Sequence, residues 1–244
     1  MYSIDLSTSW TNQSVEFNAI PKLGTGPATL IREGLWLGPD DTFYSYGGGF
    51  SYWENDPDTP PNQLWQFHPN GNSGSWSQIT FQTSSFLRLK RTYYCIYAST
   101  EGLGFALGGI IDSSTNSELE PGPQPGNVPG VVVFNSTSQE WYNVSTSGTR
   151  GYSLDGMADK GAAHFVPSFG PIGLLMIFGG EANDGDFASF DSVHMYEPLS
   201  QQWQSQFVTG DIPTVVEDPC VVGLAGDDGT YEVVSMNCGM HECC

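Results

Sequence analysis

Positive charge is scarce in this chain of 244 residues: seven Lys plus Arg stand against 27 Asp plus Glu, a formal net charge of −20. That balance repels phosphate backbones and anionic lipid headgroups, so nucleic acid is excluded as a partner. Long hydrophobic runs are also missing. No apolar stretch reaches the roughly 18 residues that a membrane-spanning helix needs, so no membrane span is expected within the chain. The opening MYSIDLSTSW does not read as a signal peptide either. The five cysteines include no C-x-x-C pair, and their odd number argues against a disulfide framework. Three of them, Cys238, Cys243 and Cys244, crowd the end of the chain. Cys95 and Cys220 are expected as single buried thiols at matching places in a repeat.

Catalytic signatures are missing as well. There is no G-x-S-x-G elbow, no H-E-x-x-H and no Walker loop. Histidine is limited to His68, His164, His194 and His241, each expected as a strand or turn residue with an ordinary hydrogen-bond partner. Carboxylates are plentiful, but a glycosidase needs two of them facing each other across a cleft, which a sequence does not display. The densest acidic stretch, EANDGDFASFD, offers Glu181, Asn183, Asp184, Asp186 and Asp191 as oxygen ligands of the kind calcium takes. Its spacing does not match an EF-hand, and the acidity is expected to serve solubility. No metal and no cofactor are expected.

Glycine, proline and tryptophan are abundant, and they are ordered. Trp10, Trp76, Trp141 and Trp203 stand 66, 65 and 62 residues apart, and each of the last three follows a Gly-Gly pair that ends a hydrophobic run. The copies read GLWLGPDDTFYSYGGG then LWQFHPNGNSGSW, GLGFALGG then VVVFNSTSQEW, and GLLMIFGG then VHMYEPLSQQW. Short apolar runs separated by Gly, Pro, Asn and Ser turns read as hairpins, two per copy. The Gly pair, with Gly48, Gly109 and Gly180 at equivalent places, suits a point where backbones approach closely or φ is positive. The tryptophan suits an outer strand, where a large ring fills the wedge between neighbouring units.

A hydrophobic run, Gly-Gly, a variable loop, an aliphatic or aromatic run and then Trp resembles the kelch repeat over most of the chain. The resemblance implies an all-β, kelch-type β-propeller of four-stranded antiparallel blades. The copies exceed the roughly 50 residues of that repeat, and the excess lies in the loops after Gly-Gly. GGGF and GGI belong to this repeat and are not phosphate-binding loops. The propeller is expected over 1–234, as about three full blades plus two half-blades, with 235–244 an aberrant Cys-rich tail. At the start, YSIDLSTSW matches the closing half of a repeat, and at the end DPCVVGLAGDDGTYEVV matches an opening hairpin. Two readings stay open: an incomplete piece of a larger ring, or a four-bladed ring in which Met1–Phe17 pairs with Pro219–Val234. On the strands before the Gly pairs, alternate members of Phe43, Tyr46, Phe105, Leu107, Met176 and Phe178 are expected to be buried.

With no catalytic signature in the sequence, binding rather than catalysis is expected. The candidate surface is the face with loops 50–63, 110–130 and 181–191, which present Tyr52, Trp53, Phe187 and Phe190, and the expected partner is a protein or a carbohydrate. The alternative is a galactose oxidase-like copper enzyme or another glycan-active enzyme. The copper enzyme would require two Tyr and two His converging on one metal. Three sequons, at Asn12, Asn135 and Asn143, are candidate glycosylation sites. Asn12 and Asn143 are expected on the outer edge, two residues beyond a repeat Trp. With the resemblance to secreted or cell-surface fungal kelch proteins, they point to a secreted or cell-surface glycoprotein.

Overall fold

The computed structural model describes residues 1–22, 26–50, 61–81, 83–100, 102–116, 119, 126–146, 158–182, 187–216 and 218–236. In chain order its elements are β1 (Tyr2–Ser3), β2 (Asn18–Ala19), β3 (Leu30–Leu37), β4 (Phe43–Phe50), β5 (Leu64–Asn70), β6 (Ser73–Ile79) and α1 (Ser84–Arg88). Then come β7 (Ile96–Thr100), β8 (Leu103–Leu107), β9 (Ile110–Ile111), β10 (Gly126–Asn127), β11 (Val131–Asn135), β12 (Glu140–Val144) and β13 (Ala158–Asp159). The last are β14 (Ala162–Val166), β15 (Leu174–Phe178), β16 (Glu181–Ala182), β17 (Ser192–Glu197), β18 (Gln202–Phe207), β19 (Cys220–Ala225) and β20 (Tyr231–Met236).

Three four-stranded antiparallel sheets carry the chain: β3-β4-β5-β6, β7-β8-β11-β12 and β14-β15-β17-β18. A two-stranded sheet, β19-β20, follows them. Within each sheet the strands follow chain order, so every unit is a meander of hairpins. Local chemistry sets the turns. Between β11 and β12, Asn135 Oδ1 accepts the N–H of Thr137 and of Ser138, both at 2.9 Å. Between β17 and β18, the Glu197 carboxylate accepts the N–H of Leu199 and Ser200 at 3.0 and 2.7 Å. Each of these turns ends on a glutamine with positive φ, Gln139 at 57° and Gln201 at 56°.

The sheets stack face to face through two cores. Trp36, Tyr44, Tyr46 and Leu64 of the first sheet meet Ala106, Phe134 and Trp141 of the second, with Phe81 and Phe86 closing the side. On the other face of the second sheet, Phe105, Leu107, Val131 and Val133 meet Phe165, Leu175, Ile177 and Tyr196 of the third. The first strands of the units touch in succession, β3 on β7, β7 on β14 and β14 on β19. The repeat tryptophans sit at matching registers on the fourth strands: Trp76 opposite Phe67, Trp141 opposite Phe134 and Trp203 opposite Tyr196.

Several expectations need correction. Tyr46, Phe105 and Leu107 are buried, but Phe43 is 37% exposed, and Met176 and Phe178 are half-buried. In the third sheet Leu175 and Ile177 enter the core instead. The Met176 face looks toward the two-stranded fourth unit, which covers only part of it. Trp10 lies on no strand; β1 pairs with β2, and β19 pairs with β20. The expected pairing of Met1–Phe17 with Pro219–Val234 is therefore not formed. Cys95 is buried, whereas Cys220 opens β19 and is exposed. The 235–244 tail lies outside the described residues from position 237 onward.

Candidate functional site at the loop-bearing end

In each four-stranded unit the pairing of the first two strands is interrupted at the Gly pair. Ladder pairing breaks between Ile31↔Gly49 and Glu33↔Gly47 in the first unit, between Tyr93↔Ile110 and Ile96↔Leu107 in the second, and between Asp159↔Glu181 and Ala162↔Phe178 in the third. The second glycine of each pair is left-handed: Gly48 at φ 85°, Gly109 at 91° and Gly180 at 95°. The N–H of each reaches into the following unit, Gly48 to Thr92 O at 2.9 Å, Gly109 to Ala158 O at 2.8 Å and Gly180 to Val216 O at 3.2 Å. A side chain cannot be accommodated at the first glycine of the second pair, because a Cβ on Gly108 would lie 1.9 Å from Ala158 O.

Across this break each unit holds a non-glycine residue in the left-handed region: Arg32 at φ 55°, Tyr94 at 58° and Lys160 at 52°; Asp218, at 51°, enters β19 in the same way. Such a conformation costs roughly 1–2 kcal/mol per residue, so the surrounding contacts must impose it. These four residues meet. The Asp218 N–H donates to Lys160 O at 2.6 Å, and the Lys160 N–H donates to Tyr94 O at 2.9 Å. Arg32 Nη1 pairs with Asp218 Oδ2 at 3.0 Å, across the first and last units. The Arg32 guanidinium lies 3.8 Å from the centre of the Tyr94 ring, and Lys160 Nζ approaches the same ring at 5.7 Å.

Further polar groups lie around these four residues. Lys160 Nζ pairs with Glu181 Oε2 at 2.5 Å. Asp159 is buried and accepts from Asn127 Nδ2 at 2.8 Å. Burial, opposed by the Lys160 ammonium and reinforced by Glu181, pushes its carboxyl up to about 6. Beside it, Tyr93 Oη donates to Asp112 Oδ2 at 2.7 Å, and Ser114 Oγ donates to Asp112 Oδ1 at 2.6 Å. The buried Arg91 donates to Ser114 O at 3.3 Å, and desolvation lowers its guanidinium to about 10. Burial also raises the Glu33 carboxyl, against the bond from Ser45. The loops after the Gly pairs leave from this same end.

The residues singled out in the sequence fall as follows. Phe187 is 46% exposed beside Glu181, Phe190 is half-buried, and Tyr52 and Trp53 lie outside the described residues. Asn183, Asp184 and Asp186 also lie outside them, while Glu181 is engaged by Lys160, and Asp191 Oδ1 accepts from Ser192 Oγ. Among the described residues no group of three or more His, Cys, Asp or Glu is placed to hold a metal ion. The histidines are not brought together. His68 bonds Ser77 on β5, His164 bonds Tyr231, and His194 bonds Ser205. His164 and His194 sit on opposite faces of one sheet, and His241 lies outside the described residues. Asn12 and Asn143 are exposed, whereas the Asn135 side chain is engaged in capping its turn. The sequence reading missed Arg32, Tyr94, Lys160 and Asp218, whose common feature is a backbone conformation; a place shortly before each unit's first apolar run was the sole signal.

No family model and no curated protein sequence matches the chain. Among solved structures the fold is similar to that described as the structure of YjhT, with a TM-score of 0.59 at 15% identity, over 90% of this chain and 62% of that one. The likeness is one of fold, and the chain spans 62% of that structure's length. Among the described residues no helix is long and apolar enough to cross a membrane.

Proposed function

We propose that the chain is a kelch-type β-propeller whose units wind around one axis, and that it acts as a binding scaffold rather than an enzyme. The observation carrying this reading is the ring of Arg32, Tyr94, Lys160 and Asp218, four strained residues converging at the end from which the long loops depart. Strain of this kind is retained where it positions groups for a task. Both charge signs, an aromatic face and buried polar neighbours in one mouth suit a protein or carbohydrate partner that offers hydrogen-bond donors and acceptors together. The scattered histidines give no support to the copper-oxidase alternative. Exposed Asn12 and Asn143 would carry glycans if the protein is secreted or displayed at the cell surface.

The test is a glycan array and a binding screen against immobilised extracellular proteins, each run with the natural chain and with an Arg32→Ala/Lys160→Ala variant. A ligand of this mouth loses about tenfold or more in affinity, the ~1.4 kcal/mol of one charge-assisted contact, while the circular dichroism stays unchanged. Equal binding by both proteins, or stoichiometric copper in the purified chain, would overturn the reading.

A further inference from the structure

Among the described residues the fourth unit has two strands where the others have four, so one of its edges and part of the third sheet's face find no partner among them. β19 lies against β14, and Tyr231 Oη meets His164 Nε2 at 2.7 Å. The hairpin therefore rests on the face of the third sheet that carries His164. Register continues that row outward through Met176 and Met195 to Gln204. Beyond the hairpin the face opens into a groove of about 660 Å³, lined mainly by apolar residues such as Leu174, Met176, Val193, Met195 and Phe207, with Gln204 and Gln206 beside them and no charged residue. Among the described residues β20 has a strand partner on one side only. An uncharged apolar groove beside an unpaired strand edge, in a chain of net charge −20, is a place for strand addition.

The other units show what covers such a face. Trp141 on β12 packs against Tyr46 and Trp36 of the preceding sheet, with ring centres 5.1 and 6.0 Å apart. Trp203 on β18 donates from Nε1 to Ser145 O of its preceding unit at 3.1 Å. The third and fourth strands of a unit, ending in Trp, thus cover the outer half of the sheet before it. One segment of this chain has that local form and does not use it. In Tyr2–Trp10, Asp5 Oδ1 accepts the Ser7 N–H at 2.8 Å, the cap that Asn135 and Glu197 place between third and fourth strands. Tyr2, Leu6 and Trp10 are 69%, 76% and 47% exposed. The segment is an arm: its base is held by the buried Ile20, whose N–H bonds Met1 O, and every residue from 4 to 14 is exposed.

We infer that the arm of one copy adds to the β20 edge of a second copy, its Leu6 and Trp10 entering the groove over Met176 and Met195. Continuity with the packing between the existing sheets argues for this occupant, and the exposed, outward-held arm argues for a second copy as its source. The contact joins two different surfaces, so mutual exchange closes a dimer and one-way exchange builds longer chains.

Light scattering after size exclusion, over a series of protein concentrations under reducing conditions, tests it with two variants. Leu6→Asp/Trp10→Asp disables the arm, and Met195→Glu disables the groove. The natural chain is expected to self-associate and each variant to run as a monomer. The two variants mixed are expected to form a hetero-dimer, because one keeps the arm and the other the groove. A natural chain that is monomeric throughout overturns the proposal, as docking of the arm within its own chain would give. So does an arm variant that still associates, or a mixture that stays monomeric while both variants retain their circular dichroism.

Discussion

At the scale of single residues, the Gly pairs and the groups around them carry the most. Gly71 and Gly108 both have positive φ, 56° and 63°. A Cβ on Gly71 would meet nothing within 4 Å, whereas one on Gly108 would collide with the Ala158 carbonyl. Gly71→Ala is expected to cost about 1–2 kcal/mol, the left-handed penalty alone. Gly108→Ala adds a collision with backbone that overpacking costs of about 1–3 kcal/mol describe as a lower bound. Urea unfolding of the two variants checks the order, and equal costs would mean that the units do not touch at Gly108. The buried Asp159 carboxyl gives a pH effect. Its folded value, about 6, lies above the ordinary 3.8, so the folded chain holds the proton more tightly than the unfolded one. Stability is therefore lost as pH rises between about 4 and 6 and stays lost above that window. Asp159→Asn is expected to leave stability near pH 4 unchanged and to raise it at pH 7 by roughly 1–3 kcal/mol, measured by thermal melts across pH. No gain at pH 7 would show that the carboxylate is stabilised by its neighbours instead.

At the scale of strands and turns, the sequence made some features readable and hid others. Glycine and tryptophan are legible because each does what few residues can: one admits a left-handed backbone, the other fills a wide gap between sheets. The hairpins around VVVFN and VHMYE were legible from alternation and from the polar turns that follow. The four left-handed residues were not, because an arginine, a tyrosine, a lysine and an aspartate share no chemistry, only a backbone conformation. Parity was also hidden. Met176 and Phe178 looked like core residues, but which face of a strand is buried depends on how many strands the neighbouring unit has. YSIDLSTSW read as strand and, beyond the two residues of β1, formed only its turn, since the turn cap is local whereas a strand needs a partner. Surroundings likewise decide what each repeat tryptophan contributes. Trp141 is 4% exposed and meets five aromatic rings. Trp76, half-buried on the first sheet, stacks on Phe67. Trp141→Ala should cost about 3–5 kcal/mol and Trp76→Ala about 1–2 kcal/mol, read from denaturation midpoints. A larger loss at Trp76 would mean that another unit covers the first sheet.

At the scale of the whole molecule, the proposed function rests on the units winding around a common axis. Sheets packed face to face are separated by about 10 Å, so four of them stacked in a line would hold the first and last roughly 30 Å apart. In a ring the same two would meet, and Arg32 Nη1 lies 3.0 Å from Asp218 Oδ2. That pair is exposed on both sides and contributes at most about 1 kcal/mol, so it is compatible with a ring without enforcing one. The binding mouth exists only if Arg32 of the first unit stands beside the lead residues of the others. Spin labels on cysteines at positions 32 and 218, with Cys220, Cys238, Cys243 and Cys244 replaced by Ser, measure this separation in solution. A ring predicts strong dipolar broadening from two labels in near contact, and a spectrum without broadening, with a pulsed distance near 30 Å, would contradict it.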